Sequence, residues 1–205
     1  MPISRREALR ELSALFAIPL IRWPEHRADD PLTGTIAEFQ AGRARGDWSS
    51  LEVTRAALEK ARALNGTLHA VDEFAPAALA DARASDARAR RRALRGPLDG
   101  VPVFAKAIYD MAALPTTGSN KEWAHLFPEA VQRDSVEVAR MRAAGGVVLG
   151  KTAADDFAYH GNGTSSLTGQ VRNPYDPTGT KTPGGSSAGS AVSVACGIAF
   201  AALGT

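Results

Sequence analysis

A single cysteine, Cys196, stands in the 205 residues of this chain, which excludes an internal disulfide and any cysteine-rich metal site. It falls inside the apolar run 191–203, so it reads as a buried structural thiol rather than a nucleophile. Histidine is also scarce. His26, His69, His125 and His160 contain no i, i+4 pair of the kind that holds zinc on a helix, so neither a metal site nor a cofactor is expected. No apolar run reaches the roughly 20 residues that a membrane span requires, and no membrane partner is expected. A net charge of +2 is too small to argue for nucleic acid. Internal repeats and low-complexity segments are lacking too.

What is present divides into three stretches. Residues 1–33 form an N-terminal segment and linker. Ser4-Arg5-Arg6-Glu7-Ala8-Leu9-Arg10 followed by the apolar 12–21 resembles a twin-arginine export signal, but Glu11 and the lack of a small-x-small cleavage site speak against it. The alternative is an amphipathic helix ending near Pro19. A cytoplasmic protein is expected, with twin-arginine export as the alternative. Pro24, Asp29, Asp30 and Pro31 make residues 22–33 a linker.

Residues 34–96 read as helical. The pattern predicts one helix over 35–45 and another opening at Ser49, whose hydroxyl and Glu52 form a capping box. Leu51, Leu58 and Ala61 share a face of this second helix, and Asn65-Gly66 stops it. A strand over 68–74 and a helix from Pro76 to Gly96 follow. The last helix carries Arg83, Arg88, Arg90, Arg91, Arg92 and Arg95. Asp81 and Asp86 dilute that charge and no aromatics interleave, so it reads as a solvated face rather than a nucleic-acid surface.

Residues 97–205 change texture to short apolar runs, glycines and prolines. The turn Leu98-Asp99-Gly100 leads into a buried strand over 101–105. A helix over 134–144 has Asp134 as its cap and Gly145 beyond its end, and a strand over 147–149 follows. This alternation predicts an α/β fold, a mixed sheet core flanked by helices. Gly145, Gly150, Lys151 and Thr152 match the spacing of a phosphate-binding loop. The order is inverted, however, and the supposed loop interior Val147-Val148-Leu149 wants a sheet, so nucleotide binding is rejected.

Two features carry chemistry. Thr182-Pro183-Gly184-Gly185-Ser186-Ser187-Ala188-Gly189-Ser190 lets backbone N–H groups and hydroxyls approach a ligand closely. The apolar run after it argues against a flexible linker and puts the hydroxyls at a loop-to-helix junction. Upstream, Gly100-Val101-Pro102-Val103-Phe104-Ala105-Lys106 ends an apolar strand on a lysine. That amine either snorkels to solvent or sits desolvated, where the neutral form can act as a base.

Together these pieces resemble the amidase signature family. The resemblance runs through Gly100-Val101-Pro102-Val103 with Lys106, Leu114-Pro115-Thr116-Thr117-Gly118-Ser119, Asp134-Ser135-Val136, residues 143–152, Phe157, Arg172-Asn173-Pro174 with Asp176, and the run from Thr182 to Ser190. It covers roughly residues 35–205. It implies a Ser–cisSer–Lys triad in which Lys106 is the base and Ser186 the bridging serine on a cis peptide bond, with Ser187 supporting the hydrogen-bond network. The pocket wall would be Ala158, Tyr159, His160 and Gly161, within the stretch 158–164. The family's nucleophile comes about two dozen residues later in a motif like Gly-[Ser/Thr]-Asp-x-Gly-Gly-Ser, of which Gly204-Thr205 match the first two positions. On this reading the C-terminal half of the fold is missing, and the chain lacks its nucleophile and is inactive alone.

The implied activity is hydrolysis of carboxylic amides, with a small-molecule amide as partner and a homodimer admitted. The alternatives are a non-catalytic remnant acting as a binding module and an amidotransferase subunit. Two departures stand out: Ala107 replaces a commonly acidic residue after the lysine, and His160 replaces a small one. His160 either shapes substrate choice or packs on Tyr159.

Overall fold

The computed structural model describes residues 30–176 and 178–205; the segment read as an export signal or amphipathic helix lies outside the described residues. Residues 30–33 depart from the linker expectation. Asp30 caps a 3₁₀ turn over Pro31–Thr33 that buries Leu32, because an Asp-Pro pair both presets φ and supplies an N-cap acceptor.

Helices α1 (Ile36–Arg45) and α2 (Ser50–Leu68) both begin with complete capping boxes, Thr35 with Glu38 and Ser49 with Glu52. The α2 helix does not stop at Asn65-Gly66. It continues to Leu68, which is buried, and closes on His69 in the left-handed region (φ 52°). Asn65 bonds both backbone groups of Val71 instead, which fixes the chain reversal into strand β1 (Val71–Phe74). Helix α3 (Ala78–Arg90) starts two residues later than Pro76 and ends well before Gly96. Its arginines are mostly exposed, as the solvated-face reading expects. Arg88 is the exception: it clamps the buried Asp99 carboxylate through Nε (2.8 Å) and Nη2 (2.9 Å).

Strand β2 (Pro102–Lys106) is buried along its whole length. The short helix α4 (Lys121–Leu126) follows, and then α5 (Val136–Ala143). Ser135, not Asp134, caps α5; Asp134 is drawn away by the Ala112 N–H (2.8 Å) and Arg142 (3.1 Å). Strand β3 (Val147–Thr152) runs three residues further than the apolar pattern suggests. Gly150-Lys151-Thr152 are therefore strand residues, as rejection of a phosphate loop requires. The ribbon β4 (Thr164–Ser165) with β5 (Gly169–Gln170), helix α6 (Ala188–Ala195) and strand β6 (Ala201–Leu203) complete the chain.

The main sheet has the order β1-β3-β2-β6. β1 runs antiparallel to β3, whereas β3, β2 and β6 are mutually parallel, so the sheet is mixed and the fold is α/β. The parallel strands end on one edge, and helices α2, α3 and α6 pack against the sheet. No helix among the described residues is long and apolar enough to cross a membrane.

Candidate active site

Lys106 is the last residue of β2, flanked on one side by β3 and on the other by β6. Its side chain does not snorkel; the residue is 0 % exposed. The amine donates to Ser186 Oγ and to Thr205 Oγ1, each at 2.6 Å. Burial lowers the amine below the ordinary lysine range, and the Asp155 carboxylate acts in the opposite direction.

Ser186 reaches the amine because the loop before α6 is pinned on several sides. The Gly185–Ser186 peptide is cis. The Ser186 carbonyl accepts the Asp155 N–H at 3.2 Å. Behind it, the Gly189 N–H donates to the Ala153 carbonyl, and no larger residue fits there: a Cβ would stand 2.2 Å from the Ala70 carbonyl oxygen. Ser190 ties the same helix to two strands, through Thr152 Oγ1 (2.7 Å) and the Leu203 carbonyl (2.8 Å). Ser187 exchanges hydrogen bonds with the Thr205 backbone, accepting its N–H at 3.0 Å and donating to its carbonyl at 3.2 Å. The Tyr109 hydroxyl donates to the Gly204 carbonyl (2.9 Å) from the other side.

The loop 155–163 lies against Gly185, whose Cβ, if present, would approach Gly161 and Asn162 to about 3 Å. Phe157 and Ala158 adopt positive φ (52° and 59°), and Tyr159 and His160 project outward, Tyr159 at 83 % exposure. Their rings meet edge to face at 4.9 Å, so His160 packs on Tyr159. Phe157 also stands edge-on to Trp123 of α4 (5.7 Å). Cys196 is buried and its thiol is pushed up to about 11 by burial, in keeping with a structural role.

Sequence reasoning misses two members of this cluster. Thr205 matches a motif position, which says nothing of its contact with Lys106. Asp155 carries no signal at all, because nothing in Ala154-Asp155-Asp156-Phe157 tells which aspartate turns inward; Asp155 is fully buried and Asp156 is not.

Comparison with known proteins identifies the family. Residues 52–205 match the Amidase family. The chain is 38% identical over 172 residues to a glutamyl-tRNA(Gln) amidotransferase subunit of Chloroflexus aurantiacus, covering 83% of this chain and 34% of that protein. It is 41% identical over 171 residues to the subunit of the same name from an Anaeromyxobacter species, with the same coverage. The chain thus spans about a third of the length of the curated relatives it matches. Among solved structures, the peptide amidase of Stenotrophomonas maltophilia superposes with a TM-score of 0.73 at 37% identity, covering 80% of this chain and 34% of that one. An amidase family protein of Bacillus anthracis superposes over 100% of this chain and 41% of its own, with a TM-score of 0.78 at 26% identity. A sequence match over three-quarters of the length and a shared fold lead to one conclusion: this chain belongs to the Amidase family.

Proposed function

We propose that the protein cleaves the C–N bond of carboxylic amides, with Lys106 as general base and Ser186 as proton relay. The observation that carries this reading is the 2.6 Å contact between a fully buried amine and a serine hydroxyl. A lysine deprived of solvent gives up its proton more readily, and the neutral amine then accepts one from Ser186. Ser186 in turn takes the proton of the attacking hydroxyl, which the family motif assigns to a serine following Gly204-Thr205. Attack on the amide carbonyl breaks the C–N bond as the proton returns to the leaving nitrogen, and water then clears the acyl group. Ser187 supports the relay through Thr205, and the stretch 158–161 borders the substrate.

The test uses the protein extended to the length of its relatives. Ammonia release is measured over a broad panel of primary amides, and Ser186→Ala should lower it by about 10³-fold or more. A folded wild type that releases ammonia from no amide in the panel would overturn the reading.

A second reading is favoured by the relatives at 38% and 41% identity, whose names describe amidotransferase subunits. In it the same couple liberates an amide nitrogen that passes to a glutamyl-tRNA acceptor. Nitrogen transfer that appears only with a co-purifying partner would support this second reading, and rapid hydrolysis by the isolated protein would support the first.

A further inference from the structure

We infer that Asp155 is a positioning residue for the Lys106–Ser186 couple, supplying the buried countercharge for the lysine and clamping the loop that carries the serine. The inference rests on the general-base reading of Lys106 given above.

Three independent contacts place Asp155. Its backbone N–H holds the Ser186 carbonyl at 3.2 Å. Its Oδ1 accepts the Thr164 N–H, which fixes the rotamer of the side chain. Its Oδ2 is buried and has no hydrogen-bond partner among the described residues. That unpartnered oxygen lies directly against Gly185: a Cβ on Gly185 would stand 2.3 Å from it. A buried carboxylate oxygen without a donor is costly to keep, by about 1–3 kcal/mol or more, so its retention against the loop that carries Ser186 calls for an electrostatic reason.

The reason is the charge that general-base catalysis creates. When Lys106 takes the proton of Ser186 it becomes an ammonium on a buried side chain. Among the groups packed around it, the β6 end offers the Thr205 hydroxyl and the loop before α6 offers Ser186, neither of them charged. On β3, Lys151 turns to the opposite face of the sheet, where its amine donates to the Pro115 carbonyl and Thr116 Oγ1. The residue that follows Lys106 beyond the end of β2 is the buried Ala107, not an acid. Asp155, just beyond β3, is the carboxylate that acts on Lys106. It strengthens the lysine as a base against the effect of burial.

Asp155→Asn removes the charge and keeps an oxygen for the Thr164 N–H. In protein carrying [¹³Cε]lysine, with the Lys106 signal assigned by its loss in Lys106→Met, the midpoint of the Lys106 titration should move to lower pH in Asp155→Asn. If Asp155→Asn does not fold, Asp155→Ser gives the same readout. A midpoint that stays in place or rises, even with a lowered melting temperature, would make Asp155 merely structural and overturn the inference. In the length-extended protein, the acidic limb of the rate profile should also shift to lower pH while plateau kcat falls by about tenfold or more, because the base is weaker. Should the midpoint fall while the wild type hydrolyses nothing, the countercharge stands and it is the amidase reading that fails.

Discussion

Replacing Lys106 by methionine separates a lysine kept for chemistry from one kept for structure. Methionine fills nearly the same volume, and swaps of this kind cost less than about 1.5 kcal/mol. Ser186 and Thr205 each lose one hydrogen bond, worth about 1 kcal/mol, but Thr205 is exposed and Ser186 only half-buried, so water substitutes in part. Against these losses stands relief from burying the amine, a polar group whose desolvation costs about 1–3 kcal/mol. The balance at neutral pH should lie within about 1–2 kcal/mol of zero, a change of only a few degrees in melting temperature. The pH dependence has a definite sign. Because the amine is held below the ordinary lysine range in the fold, the unfolded chain keeps its proton to higher pH than the folded one. Wild-type stability from this group therefore rises with pH across that window, and the methionine variant lacks the rise, so its relative stability is greatest on the acidic side. Activity should behave quite differently, falling by about 10³-fold or more in the length-extended protein. Melting curves at pH 6 and pH 10 with parallel ammonia assays read both. A variant destabilised by well over 3 kcal/mol at every pH, or one that keeps its activity, would refute the reasoning.

Asp99→Ala leaves the Arg88 guanidinium without its carboxylate and should cost about 3–5 kcal/mol, seen as a melting temperature about 10 °C lower. Burial pushes the Asp99 carboxyl up, but bonds from Arg88, Ser85 and the Arg95 N–H bring it below the ordinary range. The gap between wild type and variant should thus be full above about pH 4 and close as pH falls through the folded value. Gly189→Ala puts a methyl 2.2 Å from the Ala70 carbonyl oxygen and within 2.7 Å of the Ala153 backbone, and neither can yield as a side chain would. It should destabilise by about 1–3 kcal/mol and, by lifting α6, weaken the Lys106–Ser186 contact, read as a rise of the Lys106 titration midpoint toward the solvent value. Asp72 is held up to about 6, chiefly by burial, so its ionisation between about pH 4 and pH 6 costs the fold about 2–3 kcal/mol. Asp72→Asn, which can still accept from Ser119, should therefore raise the melting temperature at pH 7 and leave it nearly unchanged at pH 4.

Local chemistry is legible in the sequence wherever the deciding partners lie within four residues. Thr35 with Glu38 and Ser49 with Glu52 close their capping boxes over three residues. The unbroken apolar run before Lys106 has no stable home except an interior strand. Partners farther along the chain override local signals. Asn65-Gly66 is a good stop, yet Asn65 is recruited by Val71 and the helix runs on until Leu68 is buried. Asp134 is a good cap, but the Ala112 N–H, 22 residues away, takes its carboxylate and leaves the cap to Ser135. The arginine run likewise gives no hint that Arg88 seeks Asp99. At the site, residue chemistry alone leaves Lys106 undecided between solvent and pocket. Only the resemblance pairs it with Ser186, because the two stand 80 residues apart.

That separation is bridged by topology. β3, β2 and β6 lie side by side and parallel, so the residues after each strand emerge at the same edge of the sheet. From β2 comes the amine of Lys106, from just beyond β3 the carboxylate of Asp155, and from the end of β6 the hydroxyl of Thr205, 99 residues after the lysine. Helix α6 returns along the sheet with Gly189 close enough to bond Ala153, which carries Ser186 onto the same edge. In such an arrangement a charge need not come from the strand that uses it. The residue after the lysine is Ala107, buried and bonded through its N–H to the Thr152 carbonyl, so a countercharge for the amine has to reach it from another segment of the chain, which on the inference above is Asp155.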